Sequence, residues 1–286
     1  MPMLRDGVSG DWIGTFKGHK GAVWSSKLDP SGYLAATASG DFSVKVWDAI
    51  TGKNLYSFQH KHICKTIDFS PNSKLLATGG HEGLLRIYDL LSCQQVAAAQ
   101  QNDEKGDGVS MEPKLVLTQS EEKIYITKCL WIDNEMVLVA SSDGKIRVWN
   151  VVGAGSLSYT FEVADGAVEV RDMEIRAIDD GRTMLIVAAG DKVSLFDLNS
   201  KALVSSFKMP IHFREEGGAS LHPSGSKFIA GGSDLWVRVF DTLSGTELDC
   251  LKGHHGPIRC LRYAPDGKTF ATGSEDGTIR IWKTDA

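Results

Sequence analysis

The chain has little of what most activity classes require. Its five cysteines (Cys64, Cys93, Cys129, Cys250 and Cys260) are odd in number and form no CxxC pair. That pattern argues against a disulfide framework and for thiols kept reduced in cytosol or nucleus. Basic residues do not dominate: 31 Lys and Arg stand against 36 Asp and Glu, a net charge of −5. Bulk charge therefore gives no support for general nucleic-acid binding, which needs a basic face, and any RNA contact is expected to be indirect at most. Apolar runs such as Leu185 to Ala189 are far too short to cross a bilayer, and Met1-Pro-Met-Leu-Arg-Asp-Gly7 has no apolar signal core, so no membrane attachment is expected. A Gly-x-Ser-x-Gly elbow, a phosphate loop, an HExxH helix and a cysteine with a placed histidine are all missing. No catalytic residue, cofactor or small-molecule substrate is expected, and the chain is read as a non-enzyme.

What is present is repetition. An aromatic residue closes each of six units, at Trp47, Tyr88, Trp149, Phe196, Phe240 and Trp282, with steps of 41, 61, 47, 44 and 42 residues. Inside each unit short β-rich runs alternate with turns. Leu34 to Ala38 and Ser43 to Trp47 flank Ser39-Gly40-Asp41; Thr269 to Thr272 and Thr278 to Trp282 flank Glu275-Asp276-Gly277. Such turns between β-rich runs are hairpin signals. A further strand, Leu55 to Phe58 in the first unit, leads into the next, giving four strands per repeat. A period near forty with this pattern is the signature of a WD-repeat β-propeller. The expected fold is all-β, one domain over residues 1–286.

The polar residues of the repeat have a physical rationale. Asp41, Asp143, Asp234 and Asp276 lie six residues before the closing aromatic, and Asp191 lies five before. In WD repeats this Asp orients the His of a Gly-His pair, which reaches a Ser or Thr on a central strand and through it the Trp indole. A buried polar group left without a partner costs roughly 1–3 kcal/mol, so a closed network is worth keeping. It is complete in the first unit (His19, Asp41, Trp47) and the last (His254, Asp276, Trp282). The second unit has His60, with Glu82 and Tyr88 in place of Asp and Trp. The third, fourth and fifth lack the His and are expected to rely on apolar packing.

At the N-terminus Pro2-Met-Leu-Arg-Asp6 aligns with Val44-Lys-Val-Trp-Asp48, and Trp12 to Phe16 with Asn54 to Phe58. Residues 1–17 are therefore expected to be the remnant of a first blade. Two closures are open: a seven-bladed geometry with a truncated first blade, which the conserved inter-blade angle favours, or a six-bladed ring in which Trp12 to Phe16 joins the last blade.

Several stretches are more specific than the repeat. Gly10-Asp-Trp-Ile-Gly-Thr-Phe-Lys-Gly-His-Lys-Gly-Ala-Val-Trp24, His60-Lys-His-Ile-Cys-Lys-Thr-Ile-Asp-Phe69, Leu84-Leu-Arg-Ile-Tyr-Asp-Leu90, Ser220-Leu-His-Pro223 and Lys252-Gly-His-His-Gly-Pro-Ile258 resemble the serine-threonine kinase receptor-associated protein family (STRAP, or unr-interacting protein). The resemblance implies a seven-bladed propeller and a protein-interaction scaffold of the cytoplasm, with access to the nucleus. It implies partners in the SMN complex of snRNP assembly (Gemin-type subunits), and a role in restraining TGF-β signalling through receptor kinase or Smad proteins. Family members carry an N-terminal half-blade and a C-terminal acidic tail that do not appear here; a fragment, a short isoform or an imperfect gene model would give this. The i subunit of translation initiation factor three shares Gly-His-x-Gly-Ala-Val-Trp and Gly-His-x-Gly-Pro-Ile and is the alternative.

Three further features carry expectations. Residues 92–112, rich in Gln, Asp, Glu and Gly, explain the 61-residue step and are expected to form an inserted polar loop opposite the Gly-His turns, with partner docking as its alternative use. Lys45, Arg86, Arg147, Arg238 and Arg280 each sit two residues before a closing aromatic. They are expected to pack their stems between blades with charged ends reaching solvent, rather than to form an RNA stripe. His60 and His62 share a strand face in an extended reading, but no carboxylate or cysteine follows at ligand spacing, so no metal is expected. The partner-binding residues are not readable from the sequence.

Overall fold

The computed structural model describes residues 1–99, 109–118, 124–163, 168–213 and 217–284. Contacts group the chain into two compact units, Met1–Glu162 and Val163–Ala286.

In the first unit, β1 (Met3–Arg5) pairs with β2 (Trp12–Thr15) in a two-stranded antiparallel sheet, Met3 opposite Thr15 and Leu4 opposite Gly14. This is where residues 1–17 place their strands. An antiparallel meander follows: β3 (Val23–Leu28), β4 (Leu34–Ser39), β5 (Ser43–Asp48) and β6 (Asn54–Gln59). β7 (Cys64–Phe69), β8 (Leu75–Gly80) and β9 (Leu84–Asp89) repeat the pattern. The chain then forms α1 (Leu90–Ala99) and β10 (Val109–Ser110) before β11 (Leu115–Thr118) pairs with β9 as the fourth strand. A fourth sheet holds β12 (Ile126–Trp131), β13 (Met136–Ser141), β14 (Lys145–Asn150) and β15 (Ser156–Glu162).

In the second unit, β16 (Val170–Ala177), β17 (Thr183–Asp197) and β18 (Ala202–Phe213) form one sheet, with β17 pairing β16 along its first half and β18 along its second. β19 (Gly218–Leu221), β20 (Lys227–Gly231), β21 (Trp236–Asp241) and β22 (Glu247–Lys252) form a four-stranded meander. β23 (Ile258–Tyr263), β24 (Thr269–Ser274) and β25 (Ile279–Lys283) form a three-stranded one. The all-β class and the repeated meander of the WD-repeat propeller class are as the sequence pattern leads one to expect.

Hydrophobic alternation explains how the sheets of each unit stack. In the first unit Ala36, Ala38, Val44, Val46 and Phe58 are fully buried and share one cluster with Ile67, Leu76 and Tyr88 of the next sheet. Each large side chain so buried contributes roughly 1.5–3 kcal/mol. The approach is close enough to fix a glycine: a Cβ on Gly79 would sit 2.7 Å from Ile126 Cγ2 of the following sheet. In the second unit Ile186, Ala188, Val193, Phe213, Phe228 and Ala230 form the corresponding core.

The stretch at 92–112 departs from expectation. It was expected to be a polar loop, but its first part continues α1, and residues 100–108 of it lie outside the described residues. Leu90-Leu-Ser-Cys-Gln-Gln-Val-Ala-Ala-Ala99 is free of Gly and Pro and rich in helix formers. Asp89 Oδ1 caps it, accepting the N–H groups of Leu91 (3.1 Å) and Ser92 (3.3 Å). Leu90 and Cys93 are buried in the preceding core cluster and anchor the helix. β10 then runs parallel to β6, Val109 opposite Tyr56, and covers that sheet edge.

Candidate functional site

The polar groups of the repeat are drawn together at one end of the sheets, where the connection into each first strand meets the turn between the second and third. In the first complete repeat His19 Nδ1 lies 2.9 Å from Asp41 Oδ2, and Nε2 lies 2.7 Å from Thr37 Oγ1. Trp47 Nε1 donates to the same Thr37 oxygen at 2.8 Å. An indole can only donate, so Thr37 accepts from Trp47 and gives its single proton to His19 Nε2; in the neutral ring Nδ1 then donates to Asp41. Asp41 also accepts the Lys20 N–H (2.8 Å) and the Ser43 hydroxyl (2.6 Å). Burial pushes its carboxyl up, but the hydrogen bonds from Ser43, Lys20 and His19 outweigh this and hold it well below the usual carboxylate range.

The last repeat reproduces this geometry. His254 Nδ1 lies 3.1 Å from Asp276 Oδ2 and Nε2 lies 2.7 Å from Thr272 Oγ1, which accepts from Trp282 Nε1 at 2.8 Å. Hydrogen bonds from Thr278 and the His255 N–H hold the Asp276 carboxyl far down. The structure thus brings His19, Asp41 and Trp47 together, and likewise His254, Asp276 and Trp282, each trio through a threonine that lies ten residues before the closing Trp.

The second repeat is looser. His60 Nε2 lies 3.3 Å from Thr78 Oγ1, while its Nδ1 is 3.6 Å from Glu82 Oε2, beyond hydrogen-bond reach. Glu82 instead accepts from Arg86 Nη2 at 2.6 Å. Burial, then the nearby Arg86 guanidinium, lowers the His60 pKa to about 4 against the opposing pull of Glu82. Tyr88 has no indole to bond and stacks on Phe58, ring centroids 4.0 Å apart.

Repeats without the His use the same exchange of partners. Arg147 forks onto Asp143, with Nη2 to Oδ2 at 2.6 Å and Nη1 to Oδ1 at 3.2 Å. Arg238 Nη1 reaches Asp234 Oδ2 at 2.5 Å. Arg147 and Arg238 are buried. These heads do not reach for solvent as expected; a turn carboxylate four residues earlier holds each one, because no imidazole competes for it. The spacing was visible in the sequence as acid-x-x-x-Arg and was overlooked. Lys45 differs again, donating to Ser57 Oγ at 2.9 Å.

His60 and His62 also part company. His60 is buried, whereas His62 is exposed and stacks on His81 with centroids 5.3 Å apart. No cluster of three or more His, Cys, Asp or Glu able to hold a metal occurs among the described residues.

The same end of the first unit carries a row of rings that sequence reasoning missed. Phe42 packs on His62 (5.6 Å), His62 on His81 (5.3 Å) and His81 on Tyr125 (4.9 Å), crossing three sheets. Phe42, His62 and His81 are exposed, and Trp24, 45% exposed, reaches the same turn as Phe42, its Nε1 3.4 Å from where a Cβ on Gly40 would stand, with Lys65 Nζ 3.5 Å from its ring centroid. An exposed cluster of this kind is suited to contact.

Comparison with known proteins places this geometry. The WD domain, G-beta repeat family matches residues 10–48, 52–89, 112–150 and 245–283. The chain is 40% identical over 282 residues to the serine-threonine kinase receptor-associated protein of Dictyostelium discoideum, covering 99% of this chain and 87% of that protein. It is 38% identical over 286 residues to the protein of that name from Homo sapiens, covering 99% and 73%. It is 31% identical over 307 residues to eukaryotic translation initiation factor 3 subunit I of Culex quinquefasciatus, covering 100% and 88%.

Proposed function

Because this chain belongs to the WD-repeat family of serine-threonine kinase receptor-associated proteins, we propose that it is a non-enzymatic scaffold that holds other proteins. The observation that carries this reading is the likeness along 99% of the chain to proteins of that name. The turn acids of several repeats support it: Asp41, Asp276, Asp143 and Asp234 are engaged in His- or Arg-centred hydrogen bonds, while the exposed rings of the first unit are placed for contact. In the finer form of the proposal the chain serves the SMN complex in snRNP assembly, with Gemin-type subunits as neighbours. It would also restrain TGF-β signalling through receptor kinase or Smad proteins, working in the cytoplasm with access to the nucleus.

A second reading, a scaffold in translation initiation, rests on the 31% identity to subunit I of initiation factor 3. Affinity purification of the full chain from cells separates the two. Recovery of SMN-complex and Sm proteins is the expected result. Recovery of initiation-factor subunits without them would move the chain to the second machine.

A further inference from the structure

We infer that the turn end of the first unit binds an acidic protein segment bearing an aromatic or bulky apolar anchor, held by Trp24 and Phe42 and by the lysines around them. The inference rests on the scaffold reading and names the partner's chemistry.

Three independent features point there. The first is a recurring β-bulge. β3 pairs Val23 with Ser39 and Ser25 with Ala38, leaving Trp24 as the extra residue; β7 pairs Cys64 with Gly80 and Thr66 with Gly79, leaving Lys65. A bulge re-aims one side chain out of the ladder. Here the two extra side chains meet as an ammonium over an indole, 3.5 Å from the centroid. In the second unit the bulge residues Arg171 and Arg259 are paired instead with Glu169 and Glu275.

The second is strain. Phe42 has φ 67°, at the turn position where the following repeats place Gly83 (74°), Gly144 (75°) and, in the last, Gly277 (79°). A bulky side chain is disfavoured in the left-handed region, and such outliers persist where the side chain has a use. The strained residue presents a 40% exposed ring in the row described above.

The third is charge. Among the described residues the turn acids at this end are engaged internally: Asp41 by His19, Lys20 N–H and Ser43, Glu82 through one oxygen by Arg86, Asp143 by Arg147. Lys20, whose N–H bonds Asp41 next to Phe42, and Lys61, next to His62 in the chain, are exposed, with Lys65 on Trp24. The surface therefore presents aromatic area ringed by cations, which suits carboxylates flanking an apolar anchor. A single-stranded nucleic acid fits less well. His62 and His81 each have ring neighbours on two sides, so the row offers few free faces for successive bases. Three lysines also fall short of a tract that tracks a phosphate backbone.

The test uses the full chain and arrays of short peptides of varied composition, with a single-stranded RNA of mixed sequence alongside. Peptides combining Asp or Glu with Trp, Phe or Leu should be selected, with binding that weakens as salt rises. Trp24→Ala should weaken the selected peptides by about thirty-fold, the scale of a truncated anchor residue. Lys65→Gln should weaken them by a smaller factor, and Trp236→Ala in the second unit should leave binding unchanged. Trp24 is exposed, so thermal unfolding of each variant should match the parent. Selection of basic peptides, preference for the RNA, or selected peptides indifferent to both Trp24→Ala and Lys65→Gln would overturn the inference. Cellular partners retained by a Trp24→Ala, Lys65→Gln double variant would also overturn it while leaving the scaffold reading intact.

Discussion

Acidification from about pH 7 to about pH 5 is expected to destabilise the first unit by about 2 kcal/mol through His60 alone. The folded ring titrates near 4 because burial and the Arg86 guanidinium disfavour its charged form. An unfolded histidine titrates near 6.5. The folded pKa is therefore the depressed one. Between these values the unfolded chain takes up a proton that the folded chain refuses, so stability is full above about 6.5 and falls as pH drops toward 4. The loss levels off at about 3 kcal/mol once both states are protonated. The depressed carboxyls of Asp41 and Asp276 act in a different window, since their stabilisation is lost only as pH falls below the ordinary carboxylate range. His222 is also shifted down by burial, so the comparison must isolate His60. Urea unfolding of the parent and of His60→Asn at both pH values does this. The variant should lose about 2 kcal/mol less than the parent on acidification, whatever its stability at neutral pH. In Arg86→Met, Glu82 is free to turn to His60, and the pH slope should shrink as well. Equal losses in parent and His60→Asn would refute the account of a neutral, buried imidazole.

Other outcomes follow from the same geometry. Thr37→Val keeps the shape but strips the buried Trp47 indole and His19 Nε2 of their shared partner, and should cost about 2–4 kcal/mol in urea unfolding; Thr78→Val, whose closing ring is Tyr88, should cost less than half as much. Arg262→Met leaves Asp172 without its two-pronged partner (2.6 and 2.7 Å) and should cost about 3 kcal/mol, most of it recovered in the Asp172→Leu, Arg262→Met double variant. Phe42→Gly relieves a left-handed backbone and should leave the melting temperature unchanged or raised, while weakening any peptide selected in the binding assay. A clear fall in melting temperature there would show that the ring packs for stability instead.

What the sequence made legible is what repeats at fixed intervals. The two closed networks were readable because a constant 22-residue interval separates His19 from Asp41 and His254 from Asp276, and because the turn between them carries its own hairpin signal. The threonine hub was foreseeable in kind but not by number, although Thr37, Thr78 and Thr272 all lie ten residues before the closing aromatic. The helix at Leu90 was hidden by averaging a run of Leu, Gln and Ala with the acidic residues after it. Phe42 was hidden for the opposite reason: local propensity argues against a phenylalanine in the left-handed region, so only alignment with Gly83, Gly144 and Gly277 exposes it.

Imidazole and guanidinium compete for one carboxylate. Asp276 and Arg280 have the same four-residue spacing as Asp143 and Arg147, yet Asp276 goes to His254, Thr278 and the His255 N–H, and Arg280 Nε is left buried with no hydrogen-bond partner. When the imidazole is present it arrives with a threonine and a tryptophan already in line, so the acid completes a chain of bonds rather than one pair. When it is absent, the arginine takes the acid in a charge-assisted fork. Glu82 shows the intermediate case: both suitors are present, the arginine holds the carboxylate at 2.6 Å and the histidine waits at 3.6 Å. Either outcome gives the turn acid hydrogen-bond partners within its own repeat, and where the partner is an arginine its charge is offset as well.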